Sequence, residues 1–328
     1  MRVAINGFGR IGKEFFLACM KKGFKGDFVI NNIADIESMV YTLKYDSVHE
    51  APKANVTYGK DYIKFGNKKI KVYHTKDPSL LPWKAEKIDL VVECTGLFTH
   101  REDAEKHIQA GAKMVLISAP AKGQDCTYVY GINKLDKKAK IISAGSCTTN
   151  CVTPMVKILN DAYKIEAASF VTTHAYTSTQ RLIDAYSDKD PRRGRAAAEN
   201  IEPSTSGASI SVVEAVPELK GKLDGYALRV PVADGSISTL VVKLKKNPSK
   251  DEINALFKKM ASSKYKGIVE YSGDAIVSSD IIDNPNSCIF DSTLTYATAG
   301  LVSVAGWYDN EWGYANRLAD ITFEISKR

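Results

Sequence analysis

The stretch Gly7-Phe8-Gly9-Arg10-Ile11-Gly12 constrains the fold more than any other part of this chain. Val3-Ala4-Ile5-Asn6 before it reads as a short buried strand, and Ile11, Phe15, Phe16 and Met20 after it recur at helical spacing. Between a strand and a helix, G-x-G-x-x-G is the fingerprint of a dinucleotide-binding βα unit. Gly7 allows the tight turn, Gly9 lets backbone approach a pyrophosphate, and Gly12 lets the helix pack on the strand. The helix start then offers N–H groups and positive potential to the phosphates. A plain glycine turn is the alternative, and the apolar segments on both sides argue against it.

A second strand, Phe28-Val29-Ile30, ends in Asn31-Asn32, where an acidic residue would accept hydrogen bonds from an adenosine ribose. Asn32 is neutral: it still bonds a hydroxyl and does not repel a 2′-phosphate. It could instead only cap the strand, or Asp35 could take over the acceptor role. Residues 88–93 and 114–118 read as further strands, with an amphipathic helix from Arg101 to Ala110 ended by Gly111. Alternating strands and helices predict a doubly wound parallel sheet. Thr95-Gly96 and Ser118 fall at carboxyl ends of its strands, where such sheets bind ligands.

With 328 residues the chain exceeds one comfortable core, and two domains are expected. The net charge of +7 is dispersed, and Arg192-Arg193-Gly194-Arg195 is too short and isolated for a nucleic-acid arm. The six cysteines lack paired metal-ligand spacing and only five histidines exist to complete a site, so no metal is predicted. Sparse cysteines fit a reducing compartment. The N-terminus runs into the glycine motif without an apolar leader, and no stretch reaches the ~18–20 apolar residues of a membrane span. The expectation is a cytoplasmic protein that needs neither membrane nor nucleic acid.

Past Ile141-Ile142-Ser143-Ala144-Gly145 the chain turns into Ser146-Cys147-Thr148-Thr149-Asn150-Cys151, which puts Cys147 at a helix start. The positive helix end favours thiolate, the nucleophile for covalent chemistry on a carbonyl, so fast alkylation near pH 7 is expected. Peroxide damage is expected to fall first on that thiol. His174, 27 residues on, is the candidate base, and only the fold brings it to Cys147. A lone buried histidine on a strand is more often structural. From about Ser169 the texture becomes β-rich, with strands read at 169–173, 227–232, 236–244 and 301–308. The long charged, glycine-containing segment from Thr177 to Gly207 shows little periodicity, which marks a functional or interface loop. Ser146, Thr148, Thr177, Ser206, Arg192 and Arg229 are hydroxyls and cations that could hold phosphate, although singly such residues are ordinary surface.

In order along the chain, residues 5–12, Leu43-Lys44-Tyr45-Asp46-Ser47-Val48-His49, Glu93-Cys94-Thr95-Gly96, residues 146–151, His174-Ala175-Tyr176-Thr177, Arg229-Val230-Pro231 and Trp307-Tyr308-Asp309-Asn310-Glu311 resemble phosphorylating glyceraldehyde-3-phosphate dehydrogenase. The resemblance covers nearly the full length. It implies an α/β fold, with a Rossmann-type doubly wound parallel sheet and an α+β catalytic domain built on a mostly antiparallel sheet. It implies an NAD(P)-binding domain over 1–146, the catalytic domain over 147–311, and a C-terminal helix over 312–328 packing back on the first. The implied reaction is the reversible oxidative phosphorylation of D-glyceraldehyde 3-phosphate to 1,3-bisphosphoglycerate in glycolysis and gluconeogenesis. Cys147 would form the thiohemiacetal and thioester, and His174 would act as base and as donor to the oxyanion. Thr177 and Arg229 match the substrate-phosphate positions; Ser146, Thr148, Ser206 and Gly207 match the attacking-phosphate site. Gly7, Gly9, Arg10, Ile11, Asn32, Lys76, Thr95, Gly96, Ser118 and Asn310 are the cofactor-binding set. Cys151 reads as supporting, and the family's homotetramer places the 177–207 loop at a subunit interface.

Asn32 replaces the aspartate usual in NAD-specific members, Lys76 a common arginine and Ser206 a usual threonine, and the proline often found at the Tyr186 position is absent. Asn32 and the Tyr186 loop both bear on the ribose 2′-position, so the expected cofactor is NAD or NADP. Two alternatives stand beside the main reading: a family member acting on erythrose 4-phosphate, and a nucleotide-binding or adhesive protein without catalysis. The second would lack the nucleophile or the base, and both are present.

Overall fold

The computed structural model describes residues 1–188 and 190–327. Lys189, inside the 177–207 segment, and Arg328, at the end of the predicted C-terminal helix, lie outside the described residues. The chain divides into two compact units, one of residues 1–128, 134–145 and 315 onward, the other of residues 129–133 and 146–314.

The first unit carries strands β1 (Arg2–Asn6), β2 (Asp27–Asn31), β3 (Val56–Gly59), β4 (Tyr62–Phe65), β5 (Lys68–Tyr73), β6 (Leu90–Glu93), β7 (Met114–Ile117), β8 (Cys126–Thr127) and β9 (Ile141–Ser143), with helices α1 (Arg10–Lys21), α2 (Ile36–Lys44) and α3 (Arg101–Gln109). They form one sheet in the order β3-β4-β5-β2-β1-β6-β7-β9-β8, parallel from β5 through β8. Strands covered on both faces read as unbroken apolar runs, and Val3-Ala4-Ile5, Leu90-Val91-Val92 and Val115-Leu116-Ile117 are almost completely buried. The strand order reverses at β1, between β2 and β6, which is the switch point where doubly wound sheets bind ligands.

The antiparallel β3–β4–β5 ribbon at one edge was outside the sequence reading. Its signal is the alternation Tyr62-Ile63-Lys64-Phe65, the Gly66-Asn67 turn and Lys68-Lys69-Ile70-Lys71-Val72. Ile63, Ile70 and Val72 point inward while lysines face water.

The second unit holds α4 (Cys147–Tyr163), β10 (Ile165–Ala175), β11 (Glu202–Thr205), α5 (Ala208–Ala215), β12 (Leu223–Val230), β13 (Ser236–Leu244), α6 (Lys250–Ser262), β14 (Val269–Ser272), β15 (Cys288–Thr298) and β16 (Leu301–Tyr308). The sheet order is β11-β12-β10-β13-β16-β15-β14, antiparallel except for the β10/β12 and β14/β15 pairs. Strands β14 and β15 and the short β11 are additions to the predicted set, so the 177–207 segment is not irregular throughout. Helix α4 packs on this sheet through Cys151, Val152, Met155, Val156 and Leu159. Pro154 sits inside α4 and cannot donate to the carbonyl of Asn150, a loss the buried face outweighs. The last helix, α7 (Trp312–Ser326), brings Phe323 edge-on to Phe24 and Glu324 to the Tyr128 hydroxyl (2.7 Å) within the first unit.

Candidate active site

In the first unit the parallel strands deliver Gly7–Ile11, Asn32, Thr95–Gly96 and Ser118 to one carboxyl edge, and Lys76 follows β5 on the same edge. Gly7 has φ +92°, and a Cβ on Gly12 would lie 2.0 Å from the Gly7 carbonyl oxygen, so only glycine lets α1 approach that turn. A Cβ on Gly9 would meet nothing within 4 Å. No side chain caps α1 and no acid sits in its first turn. An open backbone face at an uncapped helix start suits a pyrophosphate, so the residues present fit a dinucleotide.

Buried amides hold that edge in shape. Asn31 donates to Asn6 Oδ1 (2.7 Å) and to Thr75 O (2.9 Å), and accepts from Thr75 N (2.9 Å), which positions the turn that carries Lys76. Glu93 accepts from Asn6 (2.5 Å), from Thr95 N (2.7 Å) and from the Thr95 hydroxyl. Asn32 Oδ1 accepts from Phe8 N (3.2 Å) and so ties the glycine loop to β2. Both Asp35 oxygens are taken by Ser38, in the cap of α2, so Asp35 does not replace Asn32 at the ribose position. An open cavity of about 700 Å³ lined by Asp35, Tyr58, Lys60 and His74 adjoins it, with His74 Nδ1 2.9 Å from Asn32 O. Arg10 pairs with Asp46 at 2.6 Å.

In the second unit Ser146 caps α4: its hydroxyl accepts from Thr149 N (3.0 Å) while Thr149 Oγ1 accepts from Ser146 N (3.1 Å). This reciprocal cap sets Cys147 as the first helical residue. Parallel pairing of β10 with β12 puts His174 opposite Arg229. Cys147 Sγ lies 3.3 Å from His174 Nε2, and His174 Nδ1 lies 2.7 Å from Ala175 O and 2.6 Å from Arg229 Nη1. The 27-residue gap is closed by the sheet.

Burial pushes the Cys147 thiol up to about 11, with the Arg229 cation pulling the other way. Burial, then the Arg229 charge, brings His174 down to about 3. The sequence predicts a thiolate from the helix end; the structure keeps the proton on sulfur. A helix terminus contributes about 0.3–2 kcal/mol, too little to offset the loss of solvation here. Behind the pair, the Tyr308 hydroxyl bonds Thr148 Oγ1 (2.9 Å) and Thr172 Oγ1 (2.6 Å), and its ring meets His174 edge-on. Tyr308 appears in the sequence only as part of a motif, and its position here is a product of the β13/β16 pairing. Burial, then the charge of Asp309, raises the Asp234 carboxyl to about 8, so this unit also holds a buried acid in its neutral form.

The remaining predicted residues scatter. Thr177 follows β10, and its hydroxyl pairs with Thr179 (2.9 Å). Ser206 and Gly207 open α5, with Ser206 Oγ accepting from Ala208 N (3.2 Å). Asn310 accepts from Ser236 Oγ (2.7 Å), which itself accepts from Ala175 N (3.1 Å), so the carboxamide is coupled to the His174 strand. Arg192 is a correction: it is exposed, whereas its neighbour Arg193 turns inward to Ser204 Oγ (3.1 Å) and Thr179 Oγ1 (3.5 Å). The short helical turn 191–194 alternates its side chains, so of two adjacent arginines only one faces β11.

A doubly wound sheet with a dinucleotide loop and a second unit carrying a cysteine–histidine pair define a nucleotide-linked oxidoreductase. Residues 1–101 match the family model described as glyceraldehyde 3-phosphate dehydrogenase, NAD binding domain, and residues 146–310 match that of its C-terminal domain. The chain is 50% identical to a glyceraldehyde-3-phosphate dehydrogenase of Streptomyces coelicolor and 48% identical to glyceraldehyde-3-phosphate dehydrogenase 2 of Streptomyces avermitilis. It is 46% identical to the enzyme of that name from Mycobacterium leprae. Each alignment covers 100% of this chain and 99% of the relative. This chain belongs to the glyceraldehyde 3-phosphate dehydrogenase family.

Proposed function

We propose that this chain oxidises D-glyceraldehyde 3-phosphate with inorganic phosphate to 1,3-bisphosphoglycerate, reversibly, through Cys147. The observation that carries the reading is the 3.3 Å contact between Cys147 Sγ and His174 Nε2 with Arg229 beside it. With Nδ1–H donating to Ala175 O, Nε2 is the acceptor that faces the thiol. Cys147 attacks the aldehyde carbon as its proton passes to Nε2, which then donates to the thiohemiacetal oxygen. The bound nicotinamide dinucleotide, held by Gly7–Ile11, Asn32, Lys76, Thr95, Gly96, Ser118 and Asn310, supplies the hydride acceptor. His174 removes the hydroxyl proton of the thiohemiacetal, and the resulting thioester is cleaved by inorganic phosphate. Arg229 and Thr177 hold the substrate phosphate; Ser146, Thr148, Ser206 and Gly207 hold the attacking one. Arg193, not Arg192, is the second cation suited to that region. Phosphate-dependent acyl phosphate formation checks the reaction. Turnover surviving in Cys147→Ser, or erythrose 4-phosphate outcompeting the triose, would overturn it.

Use of NADP beside NAD is the finer reading. Its support is a neutral amide at Asn32, an Asp35 carboxylate committed to its helix cap, and Lys60 and His74 on the wall of the adjoining cavity. The ratio of kcat/KM for the two cofactors decides it: a preference for NAD above roughly a thousandfold, about 4 kcal/mol, sinks dual use. Asn32→Asp is expected to move that ratio toward NAD.

A homotetramer in the cytoplasm is the proposed setting. Leu182, Ile183 and Tyr186 are 81%, 74% and 82% exposed on the 177–207 segment, an apolar cluster that fits a subunit interface. No described helix is long and apolar enough to cross a membrane. Light scattering that gives a monomer would refute the assembly.

A further inference from the structure

Three sulfurs converge on Gly306 of β16. A Cβ at Gly306 would lie 2.5 Å from Cys288 Sγ, 2.9 Å from Met155 Sδ and 3.2 Å from Cys151 Sγ, so the missing side chain is what lets the sulfurs gather. Cys151 on α4 donates to Gly306 O at 3.4 Å and is also hydrogen-bonded to the Cys288 thiol on β15. Both cysteines are fully buried and free. Cys147, one helical turn before Cys151, is half-buried and is the solvent-facing end of this line of thiols. The proposed reaction uses neither Cys151 nor Cys288.

We propose that Cys151 and Cys288 form a disulfide that returns Cys147 to its thiol form after oxidation by a hydroperoxide; this rests on Cys147 being the reactive thiol. Cys147 sulfur attacks a peroxide oxygen, the O–O bond breaks, and water or alcohol leaves, giving the sulfenic acid. Cys151 sulfur attacks Cys147 Sγ, the S–O bond breaks, and the hydroxide leaves as water with the Cys151 proton. Cys288 sulfur then attacks Cys151 Sγ, and Cys147 leaves as thiolate and takes up the Cys288 proton. In sum two thiols lose two electrons and two protons, and the peroxide is reduced by the same two electrons.

Geometry gives the last exchange its direction. Positions i and i+4 of a helix hold Cβ atoms about 5–6 Å apart, whereas a relaxed disulfide needs about 3.5–4.5 Å. A Cys147–Cys151 bond therefore distorts the first turn of α4, which makes it the more reducible. The Cys151–Cys288 pair joins a helix to a strand across sulfurs already in contact. Departure of Cys147 is further helped by the helix start and the Arg229 charge, which favour its thiolate as leaving group.

The test treats the reduced enzyme with one equivalent of hydrogen peroxide, blocks remaining thiols with iodoacetamide and maps non-reduced peptides. The expected product links Cys288 to Cys151, with Cys147 alkylated and activity retained before blocking. In Cys288→Ser, a near-isosteric change, oxidation stops at Cys147–Cys151, and activity is lost about tenfold more readily and returns with dithiothreitol. Cys288→Ala is the second variant, expected to behave alike. Oxidised wild type with no Cys151–Cys288 link, or equal loss of activity in wild type and both variants, overturns the inference. Mapping iodoacetamide on the untreated enzyme separates the two readings: label absent from Cys147 refutes its role as nucleophile, whereas label on Cys147 without the Cys151–Cys288 link refutes this inference alone.

Discussion

Arg229 Nη1 stands 2.6 Å from His174 Nδ1, on the neighbouring parallel strand, while Ala175 O competes for the same nitrogen at 2.7 Å. One nitrogen cannot serve a donor and an acceptor at once. The tautomer that donates to Ala175 O leaves Nε2 to take the thiol proton, and it leaves Arg229 as a cation against a ring that would become cationic. An anionic substrate that draws the guanidinium onto its phosphate relieves that opposition at the moment the base is needed. Arg229→Gln is therefore expected to raise the His174 pKa, seen by NMR titration of the imidazole, and to raise KM for the phosphorylated aldehyde. An unchanged imidazole titration contradicts the electrostatic coupling.

Cys147 gives a second pH dependence. Its folded pKa, about 11, lies above the ordinary 9.0, so at pH 7 the thiolate fraction is smaller than in an exposed cysteine. Alkylation of the free enzyme by iodoacetamide should climb with pH about tenfold per unit from pH 7 to pH 10. A rate that levels off below pH 7 shows that a thiolate forms despite burial.

What was legible in the sequence follows from range. The glycine loop is local: Gly7, Gly9 and Gly12 act through turns and contacts within six residues, and the strand and helix around them can be read directly. Cys147 at a helix start is local in the same sense, through the Ser146–Thr149 cap. The pairing of His174 with Arg229 depends on strand register across 55 residues, which no spacing encodes. The thiol's ionisation was misjudged because burial is a property of the fold, while the helix end is visible in the chain. Arg192 and Arg193 are indistinguishable by composition, and only the turn at 191–194 separates them.

Tyr308 supports the site from behind. Its side chain is 1% exposed, and its hydroxyl joins Thr148, next to the nucleophile, to Thr172, two residues before His174. Tyr308→Phe keeps the ring but takes a partner from two buried hydroxyls, at a cost of about 1–3 kcal/mol. Urea denaturation should show a lower midpoint with unchanged slope. A midpoint equal to wild type means that the two threonines satisfy each other.

Glu14 in α1 is the carboxyl least at ease in the first unit. It is 1% exposed, its Oε1 accepts no hydrogen bond, and the nearest ammonium, Lys13 Nζ at 3.6 Å, is shared with Asp46 and Thr42 O. Burial raises it from 4.5 to about 7, with His49 and Lys13 opposing. The folded state thus binds this proton more tightly than the unfolded chain does. Its contribution is fully present below about pH 4.5 and is lost as pH rises through 7, a swing on the order of 2–3 kcal/mol. Glu14→Gln carries no such proton and keeps the shape, so its stability relative to wild type should grow between pH 4.5 and pH 8.5. Urea midpoints of both proteins at the two pH values measure this directly: a widening gap in favour of Glu14→Gln is expected, and a gap that stays constant means that Glu14 is already ionised in the folded protein at pH 4.5.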